Sequence, residues 1–232
     1  MKTIGLLGGM SWESTLTYYR RINELVRQRL GGLHSARIVL NSVDFAEIEE
    51  LKRCGQWDAA GSLLAAAARA VEDAGADFLL LCTNTMHKVA PAIEAAVSIP
   101  LLHIADPTAA AIRQAGLSTV GLLGTRFTME QDFYLGRLEA HHGIRVVVPD
   151  ADNRERVHRV IYDELCLGVV SEGSRNAYRE VIAALAGRGA QGIILGCTEI
   201  ALLISPADAS VPLFDTTELH VESAVDLALN GR

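Results

Sequence analysis

Residues 3–8 have the sequence TIGLLG, and residues 119–124 have the sequence TVGLLG. Each is a short apolar run followed by a longer amphipathic stretch, a pattern typical of βα units with parallel strands. The shared Gly-Leu-Leu-Gly returns after 116 residues. This repeat indicates two similar βα halves, although the four residues alone would suit any strand that enters a glycine turn.

A second pair of motifs supports the repeat. Leu81-Cys82-Thr83 matches Leu195-Gly196-Cys197 at an interval of 114 residues, so two motifs agree in order and spacing. The predicted strands are 3–7, 36–41, 77–82, 119–124, 144–149 and 192–196. The predicted helices are 12–29, 56–74, 108–115, 129–141, 152–166, 173–188 and 216–230.

Composition limits the possible partners. The 232 residues carry a formal charge of −7 and are 50% hydrophobic, which suits a globular protein large enough to bury a hydrophobic core. We expect no nucleic-acid partner and no membrane span, because no basic stripe and no apolar run of about 18 residues occurs. Four cysteines without a C-x-x-C pair and seven scattered histidines predict neither a disulfide framework nor a metal site. Reduced thiols and the lack of a signal-peptide pattern favour the cytoplasm.

Small polar residues cluster where two predicted strands end, as Thr83-Asn84-Thr85 and as Cys197-Thr198-Glu199. Ligands of open parallel sheets bind beyond the carboxyl ends of the strands, so we expect both groups to line one cleft between the halves. A helix N-terminus would lower the pKa of Cys197 towards the thiolate, although a lone cysteine can also be an inert core residue. Alternation along the strand predicts that Cys82 points away from the cleft.

The first strand leads into Gly8-Gly9-Met10-Ser11, with Ser11 placed to cap the following helix. Such a turn suits a carboxylate or phosphate, or serves as a plain connection. It lacks the G-x-G-x-x-G spacing, which argues against a dinucleotide.

With these motifs the chain resembles the aspartate/glutamate racemase superfamily, and most of all the aspartate racemase branch that includes broad-specificity amino-acid racemases. The resemblance extends over essentially the whole chain. The residues that carry it are Gly8-Gly9-Met10-Ser11-Trp12-Glu13, Asn84-Thr85, Gly124-Thr125-Arg126-Phe127-Thr128-Met129 and Gly196-Cys197-Thr198-Glu199.

The resemblance implies a cofactor-independent enzyme, usually a homodimer, with two pseudo-symmetric Rossmann-like α/β domains and an active site in the cleft between them. We place the domains at 1–115 plus 215–232 and at 116–214. In the family, two cysteines flank the substrate Cα; here Thr83 and Cys197 take these catalytic positions. The candidate substrate-binding residues are Met10, Lys52, Asn84, Thr85, Thr125, Thr128, Thr198 and Glu199.

Two departures from the family pattern shape the functional prediction. Thr83 replaces the first cysteine, and a hydroxyl is a far weaker acid than a thiol, so we expect unequal rates in the two directions and low turnover. Lys52 is the nearest candidate to bind a substrate carboxylate, and Cys166 occupies a position where family members often have a lysine. The loss of one carboxylate-binding residue would relax the preference for acidic side chains, so we predict broad specificity. The alternatives are a single-cysteine decarboxylase or isomerase of the same superfamily, or a non-catalytic amino-acid-binding protein.

Overall fold

The computed structural model describes residues 1–230 and contains two separate parallel sheets. The strands are β1 (Ile4–Gly8), β2 (Ile38–Ser42), β3 (Phe78–Leu81), β4 (Thr119–Gly124), β5 (Arg145–Val147), β6 (Ile193–Gly196) and β7 (Leu213–Asp215). One sheet has the order β2-β1-β3, and the other has the order β5-β4-β6-β7. Every strand pair is parallel, so the predicted α/β class with two parallel sheets is confirmed.

Helices connect the strands, as parallel crossovers require. They are α1 (Trp12–Leu30), α2 (Phe45–Arg53), α3 (Trp57–Asp73), α4 (Ala90–Glu94), α5 (Ala105–Gln114), α6 (Arg126–Glu130), α7 (Asp132–His142), α8 (Ala151–Asp163), α9 (Glu172–Gly187), α10 (Ile200–Leu203) and α11 (Thr216–Asn230). Short 3₁₀ helices occupy Thr85–Val89, Leu165–Leu167 and Pro206–Asp208. Within this described part of the chain, no helix combines the length and apolarity that a membrane crossing requires.

The chain forms two compact units. The first joins Met1–Ile104 to the segment from His220 onward, and the second is Ala105–Leu219. The division into domains 1–115 plus 215–232 and 116–214 stays a prediction. The last two residues of the first domain, 231 and 232, lie outside the described part of the chain.

The repeat suggested by Gly-Leu-Leu-Gly reappears as matching topology. β1 and β4 are interior strands with equivalent neighbours, because β2 and β5 flank one side while β3 and β6 flank the other. A Cβ at Gly5 would lie 2.6 Å from Val71 of α3, and a Cβ at Gly121 would lie 3.0 Å from Leu185 of α9. Each glycine therefore lets a helix pack closely against the middle of its sheet.

All six predicted strands are present, with ends that differ by at most two residues. The sequence prediction missed β7 and the helices α2, α4 and α10. β7 has only three residues, too few to show an alternating pattern. α2 directly follows β2 and is capped by Asp44, whose side chain accepts a hydrogen bond from Ala46 N.

Candidate active site

The first candidate turn leaves the carboxyl end of β3. Leu81 pairs in register with Leu7 of β1, and Cys82 N donates to Leu7 O at 2.9 Å. Cys82 is fully buried in a core cluster with Tyr18, and burial raises the pKa of its thiol. Thr83 is partly exposed. The two residues thus differ in environment as the strand alternation predicts.

His87 holds the backbone of this turn. Its Nδ1 lies 2.8 Å from Thr83 O and its Nε2 lies 3.2 Å from Ile104 N. A carbonyl only accepts and an amide N–H only donates, so the ring is neutral with its proton on Nδ1. Burial, followed by the neighbouring His103 and His220, lowers the pKa of His87 well below its ordinary value. Sequence analysis gave His87 no role because Ile104 lies 17 positions away.

A second histidine beside it is held by two hydrogen bonds. His220 Nε2 lies 2.8 Å from Leu102 O, and His220 Nδ1 lies 2.8 Å from the Tyr18 hydroxyl. The carbonyl needs a donor, so His220 carries a proton on Nε2, while the Tyr18 hydroxyl is able both to donate to Nδ1 and to accept from it. The ring centroids of His87 and His220 are 6.0 Å apart, and those of His87 and His103 are 4.5 Å apart. Hydrogen bonds and packing among these histidine rings thus hold the backbone of the Thr83 turn in place.

The second candidate turn leaves the carboxyl end of β6. Gly196 pairs with Gly124 of β4, so Cys197 and Thr125 follow neighbouring strands at the same level. The Cys197 thiol donates to Glu199 Oε2 at 2.9 Å. The turn therefore couples the thiol directly to a carboxylate.

The expected lowering of the Cys197 pKa is wrong. Burial, then the charge of Glu199 and its hydrogen bond, then Cys166, raise the pKa of Cys197 well above its ordinary value. The helix after it, α10, has four residues, and Cys197 lies before its first turn. A dipole this small cannot offset burial beside a carboxylate. Cys197 rests as a neutral thiol.

Thr198 leads to a group that sequence analysis missed. Its hydroxyl lies 3.0 Å from the Thr217 hydroxyl, and the Thr216 hydroxyl donates to Leu195 O at 2.9 Å. Thr216 and Thr217 follow β7 and are buried. The available signal was Asp215-Thr216-Thr217 after an apolar pair, which resembles the other two polar strand ends.

Thr125 and Thr128 form the start of α6. Thr125 caps this helix by accepting from Thr128 N, and the two hydroxyls are 3.2 Å apart. Both residues are buried. Their side chains therefore shape the turn after β4.

Met10 and Lys52 belong to the first unit. Met10 is 4% exposed and packs in a core cluster, while Ser11 caps α1 as predicted by accepting from Ser14 N. Lys52 is 6% exposed, pairs with Glu49 and places its ammonium 5.7 Å from the Phe45 ring centroid. Its charge is therefore already engaged within α2.

The structure thus gathers the predicted residues in two groups at the carboxyl ends of the two sheets. Asn84 and Thr85 are buried beside Thr83 in the first unit, and Glu199 is buried beside Cys197 in the second. Lys52 differs, because it lies on α2 rather than at a strand end. Among the side chains of residues 1–230, no group of three or more His, Cys, Asp or Glu could hold a metal ion.

Comparison with known proteins identifies the family. The model of the family described as Asp/Glu/hydantoin racemase matches residues 7–224. The chain belongs to this family. The resemblance inferred from the strand-end motifs is confirmed.

Several members of the family are similar to this chain over most of its length. It is 60% identical to a candidate Asp/Glu racemase from Yersinia pestis, with a TM-score of 0.94 and coverage of 99% of this chain and 100% of that one. An aspartate racemase homologue from Pyrococcus horikoshii OT3 is 35% identical, with a TM-score of 0.86 and coverage of 98% and 99%. The broad specificity amino-acid racemase RacX of Bacillus subtilis is 23% identical over 166 residues, which is 68% of each chain.

Proposed function

We propose that this protein is a broad-specificity amino-acid racemase in which Cys197 and Thr83 act on opposite faces of the substrate Cα. The observation that carries the proposal is the Cys197 thiol, which donates to Glu199 at 2.9 Å at the carboxyl end of β6. Thr83 occupies the matching position after β3. Membership of the Asp/Glu/hydantoin racemase family makes proton transfer at Cα the chemistry to explain.

Cys197 is suited to both directions of proton transfer. As a neutral thiol it holds a proton ready to deliver to a carbanion-like intermediate. For abstraction, the thiol first gives its proton to the Glu199 carboxylate, and the resulting thiolate then takes the Cα proton. Glu199 is thus the proposed base that makes a high-pKa thiol usable.

Thr83 is the weaker partner. A threonine hydroxyl is much less acidic than a thiol, whose ordinary pKa is about 8.5. In the proposed inversion the Thr83 hydroxyl gives its proton to Cα, the resulting alkoxide takes a proton from solvent, and Glu199 releases its proton to solvent. This route is slower than return of the proton from Cys197. His87 contributes by fixing the backbone that presents Thr83.

The side-chain preference follows from Lys52. Its ammonium is paired with Glu49 inside α2, so it is poorly placed to hold a second carboxylate of aspartate or glutamate. The name of RacX, a broad specificity amino-acid racemase, supports the same preference.

The proposed reaction is independent of pyridoxal phosphate and produces D-amino acids, because the thiol and the hydroxyl move the proton themselves. A reducing compartment such as the cytoplasm suits it, since Cys54, Cys82, Cys166 and Cys197 are all free.

The test is solvent deuterium exchange at Cα with Thr83→Ala and Cys197→Ala. We expect Thr83→Ala to lose racemisation but to exchange the Cα hydrogen of one enantiomer with retention, since Cys197 still removes and returns it. We expect Cys197→Ala to lose both reactions by at least about 10³-fold. Mass spectrometry and chiral chromatography report the two events separately.

Thr119→Ala is the matched control, because Thr119 lies at the opposite, amino end of β4. It should retain both exchange and inversion. Full exchange by Cys197→Ala, or unchanged inversion by Thr83→Ala, would show that the mechanism is wrong.

A further inference from the structure

The helix α10 is a single turn of four residues, and it begins directly after the turn that carries Cys197 and Glu199. Its backbone hydrogen bonds run from Ile200 N to Cys197 O at 3.1 Å, from Leu202 N to Glu199 O at 3.1 Å and from Ile204 N to Ile200 O at 2.9 Å. A helix this short is not stable on its own, because its few hydrogen bonds do not offset the entropy cost of fixing its backbone. Contacts with the rest of the second unit must therefore hold α10 in place.

One such contact lies at the carboxyl end of α10. The guanidinium of Arg175, on α9, donates from Nη1 to the carbonyl oxygen of Leu203, the last residue of α10. The last carbonyls of a helix have no partner within the helix and carry partial negative charge, so a cation is stabilising there. Arg175 therefore fixes the end of α10 that lies opposite the Cys197 turn.

Other groups hold the Arg175 side chain in this position. Its Nε donates to Glu172 Oε2 at 3.0 Å, and its Nη1 lies 3.6 Å from Asp208 Oδ2. The Asp208 side chain is almost fully buried and accepts from Ser205 N at 2.8 Å. Ser205 lies two residues beyond the end of α10, so the same carboxylate also fixes the chain where it leaves the helix.

The amino end of α10 carries the groups of the proposed chemistry. The Cys197 thiol donates to Glu199 Oε2 at 2.9 Å. After burial, the charge of Glu199 and its side-chain hydrogen bond raise the pKa of Cys197, whereas the backbone hydrogen bond from Glu199 lowers it. Because Glu199 is the residue from which α10 starts, its contacts with the thiol depend on where α10 lies.

We propose that Arg175 is a positioning residue, which keeps the Glu199 carboxylate within reach of the Cys197 thiol by fixing α10. Its hydrogen bond to Leu203 spans 28 positions in the sequence and joins α9 to α10. Arg175 thus acts through the backbone of α10. This role in catalysis rests on the proposed function, in which Glu199 accepts the thiol proton.

Arg179 provides a matched control, because it lies one turn beyond Arg175 on α9 and binds the same carboxylate. Its Nε donates to Asp208 Oδ1 at 2.8 Å. Its Nη1 donates to Glu172 and Asn176, both on α9, at 3.0 and 2.7 Å. Loss of Arg179 therefore removes ion pairs from the same network and leaves the end of α10 bound.

The test is alkylation of Cys197 by iodoacetamide against pH in Arg175→Met, Arg175→Gln and Arg179→Met. Both Arg175 variants should be alkylated from a lower pH than the wild type, since a displaced Glu199 raises the pKa of the thiol less. Their kcat for racemisation should fall by about 10-fold with a smaller change in KM, because misplacement affects proton transfer most. Arg179→Met should keep the wild-type alkylation profile and kcat.

Two further features of the design keep the result decisive. Glutamine is polar but too short to replace the guanidinium, so Arg175→Gln gives a second variant should the methionine variant fail to fold. In a Glu199→Gln background, Arg175→Met should shift the alkylation profile no further, because the two changes act on one contact.

An unchanged alkylation profile in the Arg175 variants, an equal shift in Arg179→Met, or a full additional shift in the Glu199→Gln background would overturn the proposal. A wild type that racemises no amino acid would instead overturn the proposed function. The alkylation profiles would still decide whether Arg175 positions Glu199, because they do not depend on racemisation.

Discussion

The turn after β3 and the turn after β6 occupy matching places in the two sheets, yet they carry different reactive groups. The first presents the Thr83 hydroxyl on a backbone held by the neutral His87. The second presents the Cys197 thiol with the Glu199 carboxylate 2.9 Å away. The first turn thus has its backbone fixed by a histidine, whereas the second pairs a thiol with a carboxylate.

This contrast shows how a repeated fold can lose chemical symmetry without losing its architecture. Cys82 still lies in the first turn, but it is fully buried on the other side of the strand. A shift of one residue along a strand reverses the side chain, so the buried thiol cannot replace the one absent from position 83. We therefore expect Cys197 in the second turn to contribute more to acid–base catalysis than Thr83 in the first.

After loss of the Cys197 thiol itself, the largest effect should come from removing the carboxylate of the second turn. Glu199→Gln should reduce racemisation by about 100-fold, because the thiol loses the base that accepts its proton. The same change should lower the pKa of Cys197, since the charge of Glu199 raises it. Site-resolved alkylation by iodoacetamide against pH measures that shift.

The exposed Glu94 provides a control, and Glu94→Gln should alter neither the racemisation rate nor the alkylation profile. An unchanged alkylation profile in Glu199→Gln would mean that the carboxylate does not control the thiol.

A thiol in the first turn should restore symmetry. Thr83→Cys should raise the yield of inverted product by about 10-fold, because a thiol donates a proton more readily than a hydroxyl. The enantiomers are equally stable, so kcat/KM is equal in both directions, and the unequal rates expected from the sequence affect kcat and KM together. The difference between the two turns is instead measured by the ratio of deuterated recovered substrate to inverted product. This ratio should fall in Thr83→Cys but not in Thr119→Cys. A ratio that stays at the wild-type value would argue against proton delivery from position 83.

The buried His87, which holds the first turn, should make the free energy of unfolding depend on pH. His87, enclosed by His103 and His220, has a lowered pKa in the folded state, so below about pH 6.5 the unfolded chain binds a proton that the folded chain does not. The free energy of unfolding should therefore fall with decreasing pH, by up to about 1.4 kcal/mol per pH unit for this group. Urea unfolding between pH 7 and pH 5 measures the slope.

His87→Gln removes the titrating ring, so its slope should be shallower even though its stability at pH 7 is lower. His34 is exposed, and His34→Gln should keep the wild-type slope. Equal slopes in the wild type and His87→Gln would assign the acid sensitivity to other groups.

The smallest effect should come from Lys52. A direct charged hydrogen bond to a substrate carboxylate would be worth about 10-fold or more in relative activity on aspartate. Because Lys52 pairs with Glu49, we expect Lys52→Met to change the aspartate-to-alanine ratio of kcat/KM by less than about threefold. A selective tenfold loss with aspartate would show that Lys52 does bind the substrate carboxylate.

The sequence was sufficient for the architecture and for the two strand-end groups. Apolar runs and the two matched intervals located β1 to β6, and alternation separated Cys82 from Thr83. The sequence was not sufficient for the pKa of Cys197, which depends on burial and on the direction of the Glu199 side chain in space. The roles of His87 and Thr217 could not be predicted either, because their hydrogen-bond partners Ile104 and Thr198 lie 17 and 19 positions away in the sequence.

The glycines at the centres of β1 and β4 have a consequence for sequence variation. Even an alanine methyl at Gly5 or Gly121 would overlap with packed side chains at 2.6 Å, an overpacking that costs about 1–3 kcal/mol. Saturation mutagenesis should therefore find these two positions closed to substitution although neither takes part in catalysis. Each sheet thus keeps a glycine at the same place for packing, although the reactive residues at the two strand ends differ.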